Sequence, residues 1–167
     1  MVTHGFVAFK YEGIYYVYYN HSDSYCSCLG ILVVNEVNHM IDKNYIKYYK
    51  KKLVRIPLQE QPNDGDNYFH SIYSVIKDYD SHSYYTSKYE PSNEYTYIID
   101  FDEDEFIINK YDNRYTFNLF DIPYDWMEIV ENNDEYMYEN KEDIQKERIK
   151  QKIQELEDEI SKLKLKL

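Results

Sequence analysis

The sequence predicts an α+β fold with an N-terminal β-hairpin, helices, an antiparallel β-meander and a C-terminal coiled-coil helix. Three observations lead to this prediction. Aromatic and β-branched runs separated by short polar turns occur near the N-terminus and again around residues 95–120, which is typical of strands. Apolar residues recur at helical spacing between these regions, and a heptad stripe ends the chain. We expect a globular α+β domain at residues 1–133 and a helical tail at residues 134–167.

The first half of the chain predicts a hairpin followed by helices. The runs GFVAFKY and IYYVYYN flank a two-residue turn that contains Gly13, and aromatics on both faces of the second run place it inside a sheet. LGILVVNEVN and HMIDKNYIKYYKKKL are interpreted as helical, and LVRIPLQ as a short strand that stops at Pro57. The segment from Tyr68 to Ile76 fits another helix, and the polar tract DYDSHSYYTSKYEPSNE follows it.

The second half predicts a meander and a short helix. YTYIIDF, EFIINKY and RYTFNLF are strand-like runs separated by short polar turns, as in an antiparallel meander. In IPYDWMEIV, Pro123 suits the first turn of a helix, and Trp126 is expected to anchor the core or the domain edge. The acidic run DFDEDE lacks the Gly and Glu of a calcium loop, so we interpret it as a hairpin tip.

The tail carries the clearest pattern in the sequence. Its apolar residues are spaced 4, 3, 4, 3 and 4 apart, which predicts a dimerisation seam formed by Ile149, Ile153, Leu156, Ile160, Leu163 and Leu167. Ile predominates at the a positions and Leu at the d positions, which favours a parallel homodimer. In that orientation Lys152 and Glu159 face an opposite charge on the second chain, whereas a centred antiparallel pair would oppose like charges. The alternative is a helix that folds back on its own domain.

Composition limits the class of protein. A chain of 167 residues that is 43% hydrophobic can bury a core. Its net charge of -12 argues against general binding to nucleic acid or anionic membranes, although a local basic patch is compatible with it. The longest aliphatic run, ILVV, is far shorter than the roughly 20 residues of a membrane span. We expect no membrane partner and a cytoplasmic location.

Residue usage suggests a source. Cys26 and Cys28 are too close in sequence to form a disulfide framework, which fits a reducing compartment. The 22 tyrosines and the many Asn, Ile and Lys residues have codons rich in A and T. This bias favours a large DNA virus, with the protein in the host cytoplasm or the virion.

The stretch NHSDSYCSC after the hairpin contains the residue types that carry chemistry. A Cys-x-Cys pair with one local His is a weak zinc pattern, because zinc sites use cysteines two to four residues apart and a second ligand pair. A Cys or Ser nucleophile beside His21 needs a convergence that neighbours on one turn rarely reach. We therefore predict no metal and no cofactor, and interpret the stretch as an ordered turn whose polar side chains cap the following helix. Its candidate binding residues are Asn20, His21, Asp23, Ser24 and Tyr25.

A resemblance adds to this interpretation. MVTHG and YNHSDSYCSCLG resemble the M-x-T-R-G and Y-N-H-x-D-S-Y-P-x-G-L-G motifs of an uncharacterised family of viral, phage, bacterial and fungal proteins. YTYIIDFDEDEFII, FNLFDIP and Trp126 resemble the second half of that family, so the likeness spans roughly the first 130 residues. His4 stands for the Arg of the motif, Cys26 for its Pro and Cys28 for its Gly. The resemblance implies no activity.

The expected function is a non-enzymatic homodimeric interaction or structural protein with an unknown protein partner. Two alternatives remain. The N-terminus looks like the opening of N-terminal nucleophile hydrolases, although Val2 has no nucleophilic atom. The chain would then be a small hydrolase that uses Thr3, exposed by trimming, or a cysteine, with His21 and Asp23, or it would be a derelict relative of those hydrolases. A nucleic-acid contact would use the segment KNYIKYYKKKLVR, which joins basic residues with tyrosines; its candidates are Lys47, Lys50, Lys51, Lys52 and Arg55.

Overall fold

The computed structural model describes residues 3–59, 71, 84–132 and 134–167. The chain divides into two compact units, Met1–Glu131 and Asn132–Leu167. The predicted boundary after residue 133 lies two residues beyond this division. The first unit contains a six-stranded sheet with helices, so the α+β prediction is confirmed. The second unit contains one long helix.

The sheet has the order β3-β2-β1-β4-β5-β6. β1 and β4 are parallel, and every other neighbouring pair of described strands is antiparallel. The strands are β1 (Gly5–Tyr11), β2 (Ile14–Asn20), β3 (Tyr84–Ser87), β4 (Tyr95–Asp100), β5 (Glu105–Lys110) and β6 (Asn113–Asn118). The predicted hairpin is β1 and β2, and the predicted meander is β4, β5 and β6.

Two neighbouring turns are joined by one carboxylate. Glu12 and Gly13 form the two-residue turn of the first hairpin, with φ of 51° and 75°, as a turn of positive φ at both central positions requires. Their backbone N–H groups donate to the carboxylate of Asp102, at 2.7 Å and 3.0 Å. The acidic tip of the meander therefore holds the hairpin turn, which gives Asp102 of the DFDEDE run a structural role.

The helices of the first unit begin with a π-helical turn at Cys26–Gly30. They continue as α1 (Ile31–Asp42), α2 (Ile46–Leu53) and α3 (Trp126–Asn132). α1 buries an apolar face of helical spacing that comprises Val33, Val34, Val37 and Met40. α2 buries Tyr49 and Leu53, and the Tyr49 ring stacks on Phe9 of β1 with ring centroids 6.4 Å apart. This contact places α2 against one face of the sheet.

The core extends through both faces of the sheet. Inward-facing residues of the central strands, such as Phe9, Tyr97 and Phe106, are completely buried. A second buried cluster comprises Phe6, Ala8, Val17, Tyr85, Ile98 and Ile107. The near-continuous apolar runs of β1 and β4 follow from this burial on both faces.

Four sequence expectations change in the structure. The helical segment HMIDKNYIKYYKKKL is interrupted at Lys43–Tyr45, because Asn44 adopts a left-handed φ of 58° that ends α1. LVRIPLQ forms no strand: its start completes α2, and Arg55 N–H donates to Lys52 O in a following turn. Part of the polar tract is the edge strand β3, which pairs with β2. Pro123 lies three residues before α3 rather than in its first turn. The predicted helix at residues 68–76 lies outside the described residues, apart from Ser71.

The second unit is α4 (Asp134–Leu165). From Ile149 to its end every described side chain is exposed. Within the described part of the chain, no helix is both long and apolar enough to cross a membrane.

Candidate functional site

The loop between β2 and the π-helical turn is fixed by its own polar groups. The side chain of Asn20 donates to the carbonyl of Ser22 and, at 2.8 Å, to the hydroxyl of Ser24. Ser24 N–H donates to the carbonyl of Thr3 at 3.3 Å, and the Tyr97 hydroxyl donates to the carbonyl of Ser24 at 2.8 Å. Asn20 and Ser24 are buried. These two predicted binding residues therefore support the loop from inside.

A glycine on β1 makes room for this loop. A Cβ on Gly5 would lie 2.6 Å from the Cβ and Oγ of Ser24 and 2.9 Å from the carbonyl oxygen of Tyr95. Such contacts do not occur in stable structures, so any side chain at this position would displace the loop or the strand. Close packing against Ser24 and Tyr95 thus explains why a glycine occupies position 5 of this chain.

The prediction that this loop caps the next helix is wrong. The residue before the π-helical turn is Tyr25, and neither it nor Gly30, which precedes α1, makes a side-chain cap. The polar side chains bond across the loop instead, while the backbone carbonyl of Asp23 accepts from Leu29 N–H at 3.3 Å. Asp23 itself is exposed and has a φ of 55°.

Two histidines and a tyrosine lie together at the end of the first hairpin. Nδ1 of His4 forms a hydrogen bond with the Tyr19 hydroxyl at 2.5 Å, and Nδ1 of His21 forms one with the same hydroxyl at 3.1 Å. The two imidazole rings are edge to face, with centroids 4.9 Å apart. All three side chains are half-buried. The hydroxyl joins the two imidazoles, since a phenol can both donate and accept a hydrogen bond.

His4 was not among the sequence candidates, although the sequence contained a signal for it. A two-residue turn at Glu12-Gly13 fixes the register of the hairpin, in which Gly5 pairs with Asn20. One step further along that register, His4 lies opposite His21. No group of three or more metal-ligand side chains occurs among the residues that the structure describes.

The candidate nucleophiles are mostly inaccessible. Thr3 and Ser24 are 3% and 0% exposed. Cys26 is buried, and burial raises the pKa of its thiol to about 12; its Sγ lies 3.7 Å from the Tyr97 hydroxyl oxygen. A thiol in this state forms little thiolate, which is the reactive species. Cys28 is exposed. The hydrolase alternative thus has a buried Thr3 and a protonated Cys26.

A cleft lies between α1 and α2. It has a volume of about 720 Å³ and is lined by Asn35, Glu36, His39, Tyr45, Tyr48, Tyr49 and Ser71. We call it the α1–α2 cleft. The spacing of Asn35, Glu36 and His39 places them on one side of α1, whereas the tyrosines belong to α2 and the turn before it.

The predicted seam lies along the exposed part of α4. The exposed fraction of its side chains is 48% at Leu156, 50% at Ile153 and 61% at Leu163. Ile149 and Ile160 fall within the same range, while Leu167 lies beyond the last residue of the helix. Lys152, Glu157, Glu159 and Lys164, which flank the stripe, are exposed as well.

Comparisons with protein-family models, curated proteins and solved structures returned no match for this chain.

Proposed function

We propose that this chain is a non-enzymatic homodimeric interaction or structural protein whose globular domains are paired by a parallel coiled coil of α4. One observation carries the proposal. Five apolar side chains form a continuous stripe on α4, Leu167 follows just beyond its end, and each of the six is about half exposed or more in the single chain. Residue usage supports a large DNA virus as the source.

The hydrophobic effect favours burial of this stripe. Full burial of one Ile or Leu side chain contributes roughly 1.5–3 kcal/mol, and isolated helices of a few turns are marginal in water. A second copy of α4 would cover the stripe by inserting each a and d side chain between four residues of the facing helix. The helix and the pairing would then stabilise each other.

The charges beside the stripe favour a second copy of α4 as the helix that covers it. In a parallel pair, Lys152 at position g faces Glu157 of the partner subunit, and Glu159 at position g faces Lys164 of the partner subunit. Both contacts are attractive and occur twice by symmetry. This pattern of opposite charges is the one expected for two parallel copies of α4.

The first unit supplies the interaction surface in this proposal. Asn20 and Ser24 hold the loop, whereas His21 and Tyr25 are half-buried and Asp23 is exposed. These three side chains are the part of the predicted binding set that a protein partner would contact. The test is chemical cross-linking of the chain to its partners. A His21→Ala/Asp23→Ala variant that unfolds at the same temperature as the parent chain should no longer form the cross-links that the parent chain forms.

The pairing is tested with matched variants of the full chain. Ile153→Asp/Ile160→Asp places two charges per chain in the seam, and Gln151→Asp/Ser161→Asp places the same charge on the opposite side of the helix. By sedimentation equilibrium, we expect the seam variant to be monomeric and the control to match the parent chain. A seam variant that keeps the mass of the parent dimer would contradict the proposal.

The parallel orientation has its own test. In a Cys28→Ser background, a Leu163→Cys chain should form a disulfide with a second copy of itself, because equivalent d positions face each other in a parallel pair. A Gln151→Cys chain serves as the control, since its thiol points away from the seam. Cross-linking of Leu163→Cys only with an Ile153→Cys chain would indicate an antiparallel pair instead.

A further inference from the structure

The segment around α2 is a basic region in an acidic protein. Residues 43–55 contain no Asp or Glu, although the chain has a net charge of -12. Their six cations are Lys43, Lys47, Lys50, Lys51, Lys52 and Arg55. At an ionic strength of 0.1 M, exposed charges farther away than about 10 Å are largely screened. A ligand on α2 is therefore affected mainly by the charges nearest to it, which include cations of this region and Glu36 of the α1–α2 cleft.

The side chains of this region face different ways. Nζ of Lys50 lies over the rings of Tyr11 and Phe101, at 5.5 Å and 5.8 Å from their centroids. Lys50 therefore belongs to the packing of α2 on the sheet, although the sequence grouped it with the nucleic-acid candidates. Lys51 and Arg55 are exposed, and Nζ of Lys52 lies 5.4 Å from the ring centroid of Tyr48.

Two exposed tyrosines border the same region. Tyr45 and Tyr48 are 45% and 41% exposed, and both line the α1–α2 cleft. Lys51 and Lys52 follow Tyr48 by three and four residues, so they lie one helical turn away on the same side of α2. The helix dipole accounts for lysines in the last turn, but it does not account for two large aromatic side chains that are more than 40% exposed beside them.

The other wall of the cleft has a different character. Asn35, Glu36 and His39 supply hydrogen-bonding groups from α1. The carboxylate of Glu36 repels phosphates, but it can accept a hydrogen bond from the exocyclic amino group of a base. The α1 wall thus offers hydrogen-bonding partners for a base edge, whereas α2 offers cations.

We propose that the α1–α2 cleft binds single-stranded nucleic acid. A base enters the cleft and stacks on Tyr45 or Tyr48, and the adjoining phosphates contact Lys51, Lys52 and Arg55. The contact of Glu36 with an exocyclic amino group favours cytosine or adenine over thymine. This inference does not rest on the pairing of α4, so the Ile153→Asp/Ile160→Asp chain should retain one such site per molecule.

The test is fluorescence anisotropy of a labelled oligo(dC) strand titrated with the full chain at low and rising salt. Tyr48→Leu keeps an apolar side chain but removes the ring, and we expect it to weaken binding at least about fivefold. Its control is Tyr89→Leu, which removes a ring that is 82% exposed elsewhere on the first unit. Equal binding by Tyr48→Leu and the parent chain would overturn the stacking site.

Salt dependence tests the phosphate contacts separately. Lys51→Gln/Lys52→Gln should reduce the slope of log K against log salt by about 1.4, since each phosphate contact contributes about 0.7 on a single strand. Lys88→Gln/Lys162→Gln makes the same change in net charge with exposed lysines outside the cleft, and its slope should equal that of the parent chain. An unchanged slope in the cleft variant, or no binding by the parent chain at low salt, would overturn the proposal.

Competition distinguishes the sources of the ligand. Unlabelled oligo(dC) should displace the probe more effectively than oligo(dT) and than free CMP at the same nucleotide concentration. Equal displacement by CMP would assign the cleft to a mononucleotide instead of a strand. Equal displacement by oligo(dT) would contradict the position of the base edge at Glu36, and a Glu36→Gln variant should remove the preference.

Discussion

Gly30 packs directly against Trp126. A Cβ on Gly30 would lie 2.9 Å from Cη2 of Trp126 and 3.1 Å from Cε1 and the hydroxyl of Tyr97. The backbone of Gly30 has a φ of -57° and a ψ of -45°, which any residue adopts. Close packing therefore requires glycine at this position, whereas the backbone conformation does not. The π-helical turn, α3 and β4 meet at this point.

The first prediction concerns this contact. Gly30→Ala should lower the free energy of unfolding by about 1–3 kcal/mol through overpacking, even though alanine is the better helix former. Urea denaturation followed by circular dichroism measures the change. Ser27→Ala, at an exposed position of the same turn, is the control and should have little effect. If Gly30→Ala has the same free energy of unfolding as the parent chain, the Trp126 side chain moves aside without loss of stability, which would contradict this prediction.

A buried hydroxyl on β4 gives the second prediction. Thr96 is completely buried, and among the described residues its Oγ1 has no hydrogen-bond partner. Thr96→Val preserves the shape and removes the unsatisfied group, so we expect stability to rise by about 1–2 kcal/mol. In Thr86→Val, which loses hydrogen bonds with the backbone of Gln59, stability should fall by about 1 kcal/mol. Equal effects of the two substitutions in urea denaturation would contradict this difference.

The two cysteines should differ in reactivity. Cys28 is exposed, whereas Cys26 is buried with a thiol pKa raised to about 12 by burial. A chromogenic thiol reagent at neutral pH should therefore label one thiol of the native chain rapidly and the second only in urea. Cys28→Ser should abolish the rapid phase. Rapid labelling of Cys26 in the folded Cys28→Ser chain would show that the loop opens easily.

Buried tyrosines make the fold sensitive to alkali. Burial raises the pKa of the Tyr95 and Tyr97 phenols above the ordinary value near 10. A raised folded pKa contributes stability below the unfolded pKa near 10, and this contribution is lost as the pH rises from there toward the folded pKa. Tyrosinate absorbance should show a late phase that coincides with the loss of the circular dichroism signal. Tyr95→Phe should move that phase to higher pH, and Tyr124→Phe, which is 88% exposed in the parent chain, should not. A late phase without unfolding would contradict this account.

Local sequence patterns predicted the strands that pair with their neighbours in sequence. Contacts between residues far apart in sequence could not be predicted from such patterns. The β1–β2 hairpin and the β4–β5–β6 meander follow from period-2 runs and short turns. The parallel pairing of β1 with β4 joins residues about ninety positions apart, and no local pattern encodes it. β3 was missed because its four residues lie in a polar tract and only Tyr84 and Tyr85 are buried. The division between α1 and α2 was missed, because the left-handed turn at Asn44 has no sequence signal that we recognised.

The candidate loop was predicted in position and only partly in mechanism. Its role as an ordered turn agrees with the hydrogen bonds of Asn20 and Ser24, but these bonds run across the loop and not to a helix end. The contact of Tyr97 with Ser24 joins residues 73 positions apart, so no local sequence pattern predicts it. His4 was missing from the predicted site, although it could have been predicted, because the hairpin register places it opposite His21.

The molar mass of the unmodified chain in solution tests the central claim most directly. One chain has a mass of 20.5 kDa, so light scattering across a dilution series should give about 41 kDa, falling toward the single-chain value on dilution as a short coiled coil dissociates. A mass of 20.5 kDa at every concentration would contradict the pairing of α4 and with it the account of this protein as a homodimer.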